Sequence, residues 1–208
     1  KTRIGAGLRH ITLFIAMSII CIPGLWIVLN SFRPTVDIMA KPPVWVPRGL
    51  NLDNYRAMFG GAGEGGVPVV QYFTNSLIIS VTSTVIAILI GMAGGYAFAR
   101  YRFRGKSAIF IGLLLTRAVP GVALSLPLFI VMAKTGLIDT HVGLILVYVA
   151  MNVPFTIWLI DGFFRQVPPD LAEAAEIDGC IRWQAFWKVE FPVAKSGVAS
   201  AGIFAFLT

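Results

Sequence analysis

Apolar runs long enough to cross a bilayer alternate with short polar stretches along this chain. A span needs about 20 mostly apolar residues. Residues 11–29 supply the first without a single charge, and residues 77–99 supply the second. The third, 108–132, is interrupted by Pro120 and Pro127 and carries Arg117; the fourth, 142–160, contains Asn152 and Pro154. A fifth run, 193–207, reaches about three-quarters of the length a crossing needs. A secretory signal has a shorter apolar core and a small-residue cleavage site, whereas the first run is long and ends in Trp26 and Asn30, so it reads as a retained anchor. In the second run Gly91 and Gly95 stand in GxxxG spacing, which lets another helix approach closely. The pattern predicts an all-α, polytopic membrane helix bundle forming a single transmembrane domain over residues 1–208.

The polar stretches set an orientation, because lysine and arginine collect on the cytoplasmic side of short loops. A cytoplasmic N-terminus places eleven basic residues inside, against five outside: Arg33, Lys41, Arg48, Arg56 and Lys134. The inner set includes Lys1, Arg3 and Arg9 and the cluster Arg100, Arg102, Arg104 and Lys106 in one short loop. That cluster reads as a topology anchor beside anionic lipid. Residues 31–74, rich in Pro, Gly, Asn and Asp, become the external loop, and residues 165–192 face the cytoplasm.

Within the second of these lies "LAEAAEIDGC", residues 171–180, with three acidic side chains in an otherwise greasy and basic chain. "PPD" before it predicts a helix start with Asp170 as N-cap and Glu173 as its capping-box partner, and Gly179 predicts the stop. The result is a helix of about two turns, marginal alone and so held by a neighbour. In "RWQAFWKVEFP" that follows, Trp183, Phe186 and Trp187 fall at i, i+3 and i+4 and form one aromatic face before Pro192 ends the segment. Such a face suits lipid at the interface, the body of the protein or a partner. Asp161 and Arg165, four apart, predict an intrahelical pair.

Composition agrees with the pattern: 57% of the 208 residues are hydrophobic, 13% are charged and the mean hydropathy is +0.80. The net charge of +7 is gathered in clusters flanking apolar runs rather than spread over a face, which points to topology and away from nucleic acid. Cys21 and Cys180 stand in different environments, which argues against a disulfide framework or zinc site. "RGKS" at 104–107 mimics the tail of a phosphate loop, but the first glycine of that motif would fall on Arg100, so the chain offers no nucleotide site of its own. An intramembrane lipid-modifying enzyme would need a nucleophile, a base or metal ligands at one depth, and none stands out. A scaffold that recruits a partner through the cytoplasmic loop is the other rival. Arg117 is costly inside a bilayer, at least ~2.5 kcal/mol, and must face protein or water. It, Ser125 and Asn152 are candidates to line a path for a hydroxyl-rich solute, the alternative for Arg117 being a structural pair with a carboxylate or backbone carbonyl.

The order Glu173, Ala174, Ala175, then Asp178 and Gly179, then a hydrophobic stretch closing on Phe191 and Pro192, resembles the EAA signature of ABC importer permeases. "NSL" at 75–77, "GYAFARYRFRGK" at 95–106, "GLIDTHVGLIL" at 136–146 and "FFRQVPPDLAEAA" at 163–175 extend the likeness to the carbohydrate, maltose-permease-like branch. The resemblance implies the ABC importer permease fold, with about five of an expected six spans present in a truncated chain. It implies a carbohydrate as solute, with an anionic one such as a glycerol phosphate ester as alternative, moved by alternating access across the bacterial inner membrane. The implied partners are a second homologous permease subunit, two cytoplasmic ATPase subunits that hold the ATP and magnesium, an extracytoplasmic solute-binding protein and membrane lipid. By the same resemblance Glu173, Ala174, Ala175, Asp178, Gly179, Trp183 and Phe186 are the ATPase-coupling positions, and the chain itself carries no catalytic residue or cofactor.

Overall fold

The computed structural model describes residues 3–42, 44–45, 49–59 and 68–208, and for residues 3–8 the backbone alone. Lys1 and Arg48 of the charge balance, and the side chain of Arg3, fall outside the described residues. The chain packs as two compact units, Lys1–Phe73 and Thr74–Thr208.

In the first unit α1 (Arg3–Ser31) keeps the predicted apolar run in one helix, whose large apolar side chains are exposed along its length. Two short helices follow, α2 (Thr35–Ile38) and α3 (Asp53–Phe59). Just past the end of α1 stands Arg33, which is only 1% exposed. Its guanidinium donates to the carbonyls of Val44 at 2.6 Å and Trp45 at 2.5 Å and lies 5.0 Å from the Trp26 ring centroid. Asn54 donates from Nδ2 to the carbonyls of Ser31 and Arg33, at 3.1 and 2.8 Å. Arg33, counted among the five outer orientation charges, is buried against backbone oxygens: a planar fork of donors satisfies carbonyls that a loop leaves free.

The second unit takes in most of α4 (Val69–Arg100), then α5 (Lys106–Thr116), α6 (Gly121–Lys134), α7 (His141–Gln166), α8 (Asp170–Ile177), α9 (Arg182–Ala185) and α10 (Phe191–Leu207). Among the described residues three helices are long and apolar enough to cross a membrane: α1 from Arg9, α4 and α7. Each outruns its apolar core, because the helix continues through polar residues that hydropathy alone leaves out.

The third predicted span is two helices. The pair α5 and α6 bends by 97° at a short break. Pro120 is the N-cap of α6 and marks the break, as a residue that cannot donate to the preceding turn must. Pro127, expected to interrupt its run, sits inside α6, and Pro154 sits inside α7; both helices continue around them. α5 ends at Thr116 with Arg117 as its cap.

The core of this unit is Met92 of α4, Ile160 and Phe164 of α7, Val167, Phe186, and Ala194, Val198 and Ala201 of α10. The GxxxG reading holds: a Cβ on Gly91 would strike the side chain of Thr156, and one on Gly95 would come within 2.8 Å of Ile160 and 2.9 Å of the Asp161 backbone nitrogen. α10 presents a stripe of small residues, with Gly197 lying directly against the Phe163 ring and Gly202 against Ile88. A Gly95→Val chain should therefore lose about 1–3 kcal/mol to overpacking. Gly162→Ala, where nothing lies within 4 Å, should be neutral or slightly stabilising. Thermal unfolding of the two variants in detergent checks both.

Candidate functional site

The acidic stretch forms the predicted two-turn helix, and its ends are built differently from expectation at one of them. α8 starts at Asp170 with Pro169 as N-cap, and no side chain caps it. The Asp170–Glu173 capping box is not formed: the Pro168 and Pro169 carbonyls take the first N–H groups, with Ala172 N to Pro169 O at 3.0 Å, so Asp170 lies one position inside the helix. Its charge still sits in the first turn, at the positive end of the helix. At the other end Gly179 has φ +90, a region that costs any residue with a Cβ. Cys180 N donates to Ala175 O at 2.9 Å and Gly179 N to Glu176 O at 3.1 Å, which closes a Schellman motif.

α9 follows, with Ile181 N donating to Gln184 Oε1 at 3.1 Å. Pro192 was expected to end this segment, and it does not. Residues 182–207 are helical throughout: α9 passes into a π-helical turn, Phe186–Glu190, and then into α10. A proline has no N–H and its ring crowds the carbonyl four residues back, so the turn widens, and Phe191 N donates to Phe186 O five residues back. The second half of the elbow is thus one rod with the fifth apolar run.

The coupling candidates divide by burial. Glu173, Ala174, Asp178, Gly179 and Trp183 are exposed, together with Ile177 and Ile181, while Ala175 and Phe186 are buried. The aromatic face exists: Trp183, Phe186 and Trp187 touch one another at centroid distances of 5.0–5.9 Å. Phe186, however, points inward, 4.7 Å from the Tyr96 ring and 5.8 Å from Phe164. At 6% exposure it anchors the elbow to the bundle and leaves little surface for a partner.

Sequence reading missed the polar cluster beneath this elbow. Glu190 is 0% exposed and receives two donors from α4: Arg100 Nε at 2.6 Å and the Tyr96 hydroxyl at 2.7 Å. Arg100 also donates from Nη2 to the carbonyl of Val167, just past α7, at 2.9 Å. Arg100, read as a lipid-facing anchor, is thus in a buried ion pair. The signal was Glu190 itself, an acid set among Trp187, Val189, Phe191 and Pro192 that demanded a cation; the sequence does not say which of the four basic residues at 100–106 supplies it. The Asp161–Arg165 pair forms as expected at 2.8 Å, and Arg165 also donates to Phe98 O at 3.3 Å. Burial opposes the charge of Arg182, but the nearby Tyr96, Tyr101 and Glu176 oxygens hold its pKa above the ordinary arginine value, so it stays a fixed cation over the Tyr101 ring.

The three path candidates are not brought together. Arg117 donates to Met151 O at 3.3 Å and stacks 5.0 Å from the Phe155 centroid, at the side of a cavity of about 290 Å³. Ser125 lines a larger space of about 1010 Å³ with Asn75, Tyr148 and Met151. Asn152 is buried, its Nδ2 donating to Ala205 O at 3.2 Å and its Oδ1 accepting from Thr208 at 2.7 Å, in a third cavity of about 180 Å³. Gly121, Leu128 and Met151 are shared by the first two cavities, and Tyr148 by the second and third.

Residues 87–208 match the family described as the binding-protein-dependent transport system inner membrane component. The chain belongs to this family. Among relatives of this permease-family chain, the diacetylchitobiose uptake system permease protein NgcG of Streptomyces coelicolor is 36% identical over 97% of the chain and 65% of its own length. DasC of the same organism, also a diacetylchitobiose uptake system permease protein, is 32% identical over 99% of the chain and 72% of its own length. The trehalose transport system permease protein SugB of Mycobacterium tuberculosis is 37% identical over 89% and 65%. The chain thus spans about two-thirds of the length of the relatives it matches. A crystal structure of a bacterial ABC transporter involved in the import of the acidic polysaccharide alginate superposes with a TM-score of 0.75 at 22% identity, covering 99% of this chain and 70% of that one, and it establishes the likeness of fold.

Gly179→Ala should cost the elbow about 1–2 kcal/mol, the penalty of a left-handed backbone for a residue with a Cβ. Faster hydrogen exchange confined to residues 171–185, with α4 and α7 unchanged, is the expected observation.

Proposed function

We propose that the chain is the membrane-spanning permease subunit of an ATP-driven importer for a carbohydrate, in the size range of mono- and disaccharides or related polyols. It works by alternating access, with its N-terminus and the 165–192 elbow in the cytoplasm. Its partners are a second homologous permease, two ATPase chains that bind ATP and magnesium, and an extracytoplasmic solute-binding protein. The observation that carries this reading is the elbow. Between two apolar helices the chain extends an exposed acidic helix and a second helix at an angle set by Gly179, with Glu173, Ala174 and Asp178 facing outward. An exposed carboxylate beside a small alanine suits close packing against a basic groove of another protein. The continuous rod from α9 into α10 offers a mechanical route from that contact into the membrane. Diacetylchitobiose and trehalose in the names of relatives support a sugar as the solute.

Arg117 favours a second reading of the solute as an anion, for instance a glycerol phosphate ester. Its exposed guanidinium spends only one donor on Met151 and stands at the break between α5 and α6 beside a cavity.

The test is ATP hydrolysis by the complex that co-purifies with the full-length protein, with and without the binding protein and a sugar, diacetylchitobiose and trehalose first. Stimulation by sugar supports the reading; its absence with every sugar and anion tried, or the absence of any ATPase in the complex, sinks it. Glu173→Lys and Gly179→Trp should leave insertion intact and abolish the stimulation, and normal coupling in both would remove the elbow from the mechanism. Arg117→Gln should leave stimulation by a neutral sugar within about twofold but weaken that by an anionic solute roughly tenfold, the loss of one charge-assisted hydrogen bond of about 1.4 kcal/mol or more.

A further inference from the structure

One guanidinium touches both ends of the elbow. Val167 lies just past α7 and Glu190 just before α10, and the 22 residues between them make up most of the 165–192 elbow. Arg100 Nε donates to Glu190 Oε1 at 2.6 Å and Nη2 to Val167 O at 2.9 Å, while Tyr96, one turn back on α4, fills the other carboxylate oxygen at 2.7 Å. The Arg100 side chain is 11% exposed and that of Glu190 0% exposed, so the pair works in a low-dielectric setting that strengthens it and penalises parting. We propose that Arg100 is a positioning residue that ties the elbow to α4, so that a push on α8 or α9 moves α4, α7 and α10 together instead of flexing the loop.

Three features make this more than a structural pair. A planar fork can serve two acceptors in fixed directions, and a lysine cannot. The segment carrying Glu190 is rigidly helical on both sides, from α9 through the π turn into α10, so displacement of α9 reaches Glu190 without loss in a hinge. Arg165 adds a second strut, bonding Asp161 on its own helix and reaching Phe98 O on α4. The neighbouring Arg102 and Arg104 are exposed and the Lys106 ammonium donates to the Tyr101 carbonyl, so among the described residues the tie rests on Arg100 of the basic cluster.

The inference rests on the reading that an ATPase docks on the elbow, and its test separates the two. Spin labels go at Ile177→Cys on the elbow and Val85→Cys on α4, both exposed, in the full-length assembled complex with native cysteines replaced. The distance between them is measured without nucleotide and after trapping with ATP, magnesium and vanadate. In the otherwise native protein the distance should hold between the two states. In Arg100→Met/Glu190→Leu, which removes the pair without orphaning a buried charge, it should change by roughly 2 Å or more on trapping, the size of helix shifts in switching proteins. Arg100→Lys, which keeps the charge but loses the double contact, should show a change in the same direction, and it decides the matter alone if the double variant fails to assemble. A tie that is merely structural would lower thermal stability and leave the distance constant in both variants, and that result overturns the proposal. So does a distance that shifts on trapping in the native protein. Failure of the complex to trap nucleotide at all overturns the ATPase reading, and the tie falls with it.

Discussion

The fold around the elbow depends on one buried charge being satisfied. Glu190 has no exposure to solvent, and a carboxylate in that position is tolerable only because Arg100 and Tyr96 occupy both of its oxygens. Breaking such a pair from one side costs several kcal/mol, more than most single packing contacts contribute. The pair therefore fixes the register of three elements: α4 through two residues one turn apart, the end of α7 through the Val167 carbonyl, and the start of α10 through the π turn. Phe186 and Phe164 then close around the Tyr96 ring, so the aromatic cluster sits where the polar contact places it.

Much of this was legible in the sequence, and the part that was not has a physical reason. The apolar runs of α1, α4 and α7 are unmistakable, and the close approach of α7 to Gly91 and Gly95 follows from the spacing of those glycines. Gly179 as the turn between two short helices was readable because few other residues accept that backbone. The helix start at Asp170 was misplaced by one position, since Pro169 can serve as cap while its own carbonyl does the bonding. Pro192 was read as a terminator because its missing N–H normally ends a helix, but a single widened turn absorbs it. The Arg100–Glu190 pair spans 90 positions and no local pattern encodes it. Phe186 was placed on the same face as Trp183 by periodicity, yet periodicity cannot tell an inward from an outward edge of one aromatic patch.

The candidates inside the membrane are the least resolved by sequence, and the structure explains why. Polarity within an apolar run marks a residue as special without saying what it meets. Asn152 meets backbone and a hydroxyl in a buried pocket, Ser125 returns its hydrogen to the Val122 carbonyl while facing a wide cavity, and Arg117 caps a helix and leans on an aromatic ring. They line three spaces joined by shared wall residues rather than one site.

The bend between α5 and α6 has an energetic consequence of its own. Two segments of 11 and 14 residues reach roughly 16 and 21 Å at 1.5 Å per residue, and a right-angled join leaves neither able to traverse a hydrocarbon layer of about 30 Å. Backbone groups at such a join must find water or protein. Residues 117–120 therefore demand a surrounding of protein or water in place of acyl chains, and the bend sets a polar join where an unbroken helix would keep its backbone sealed.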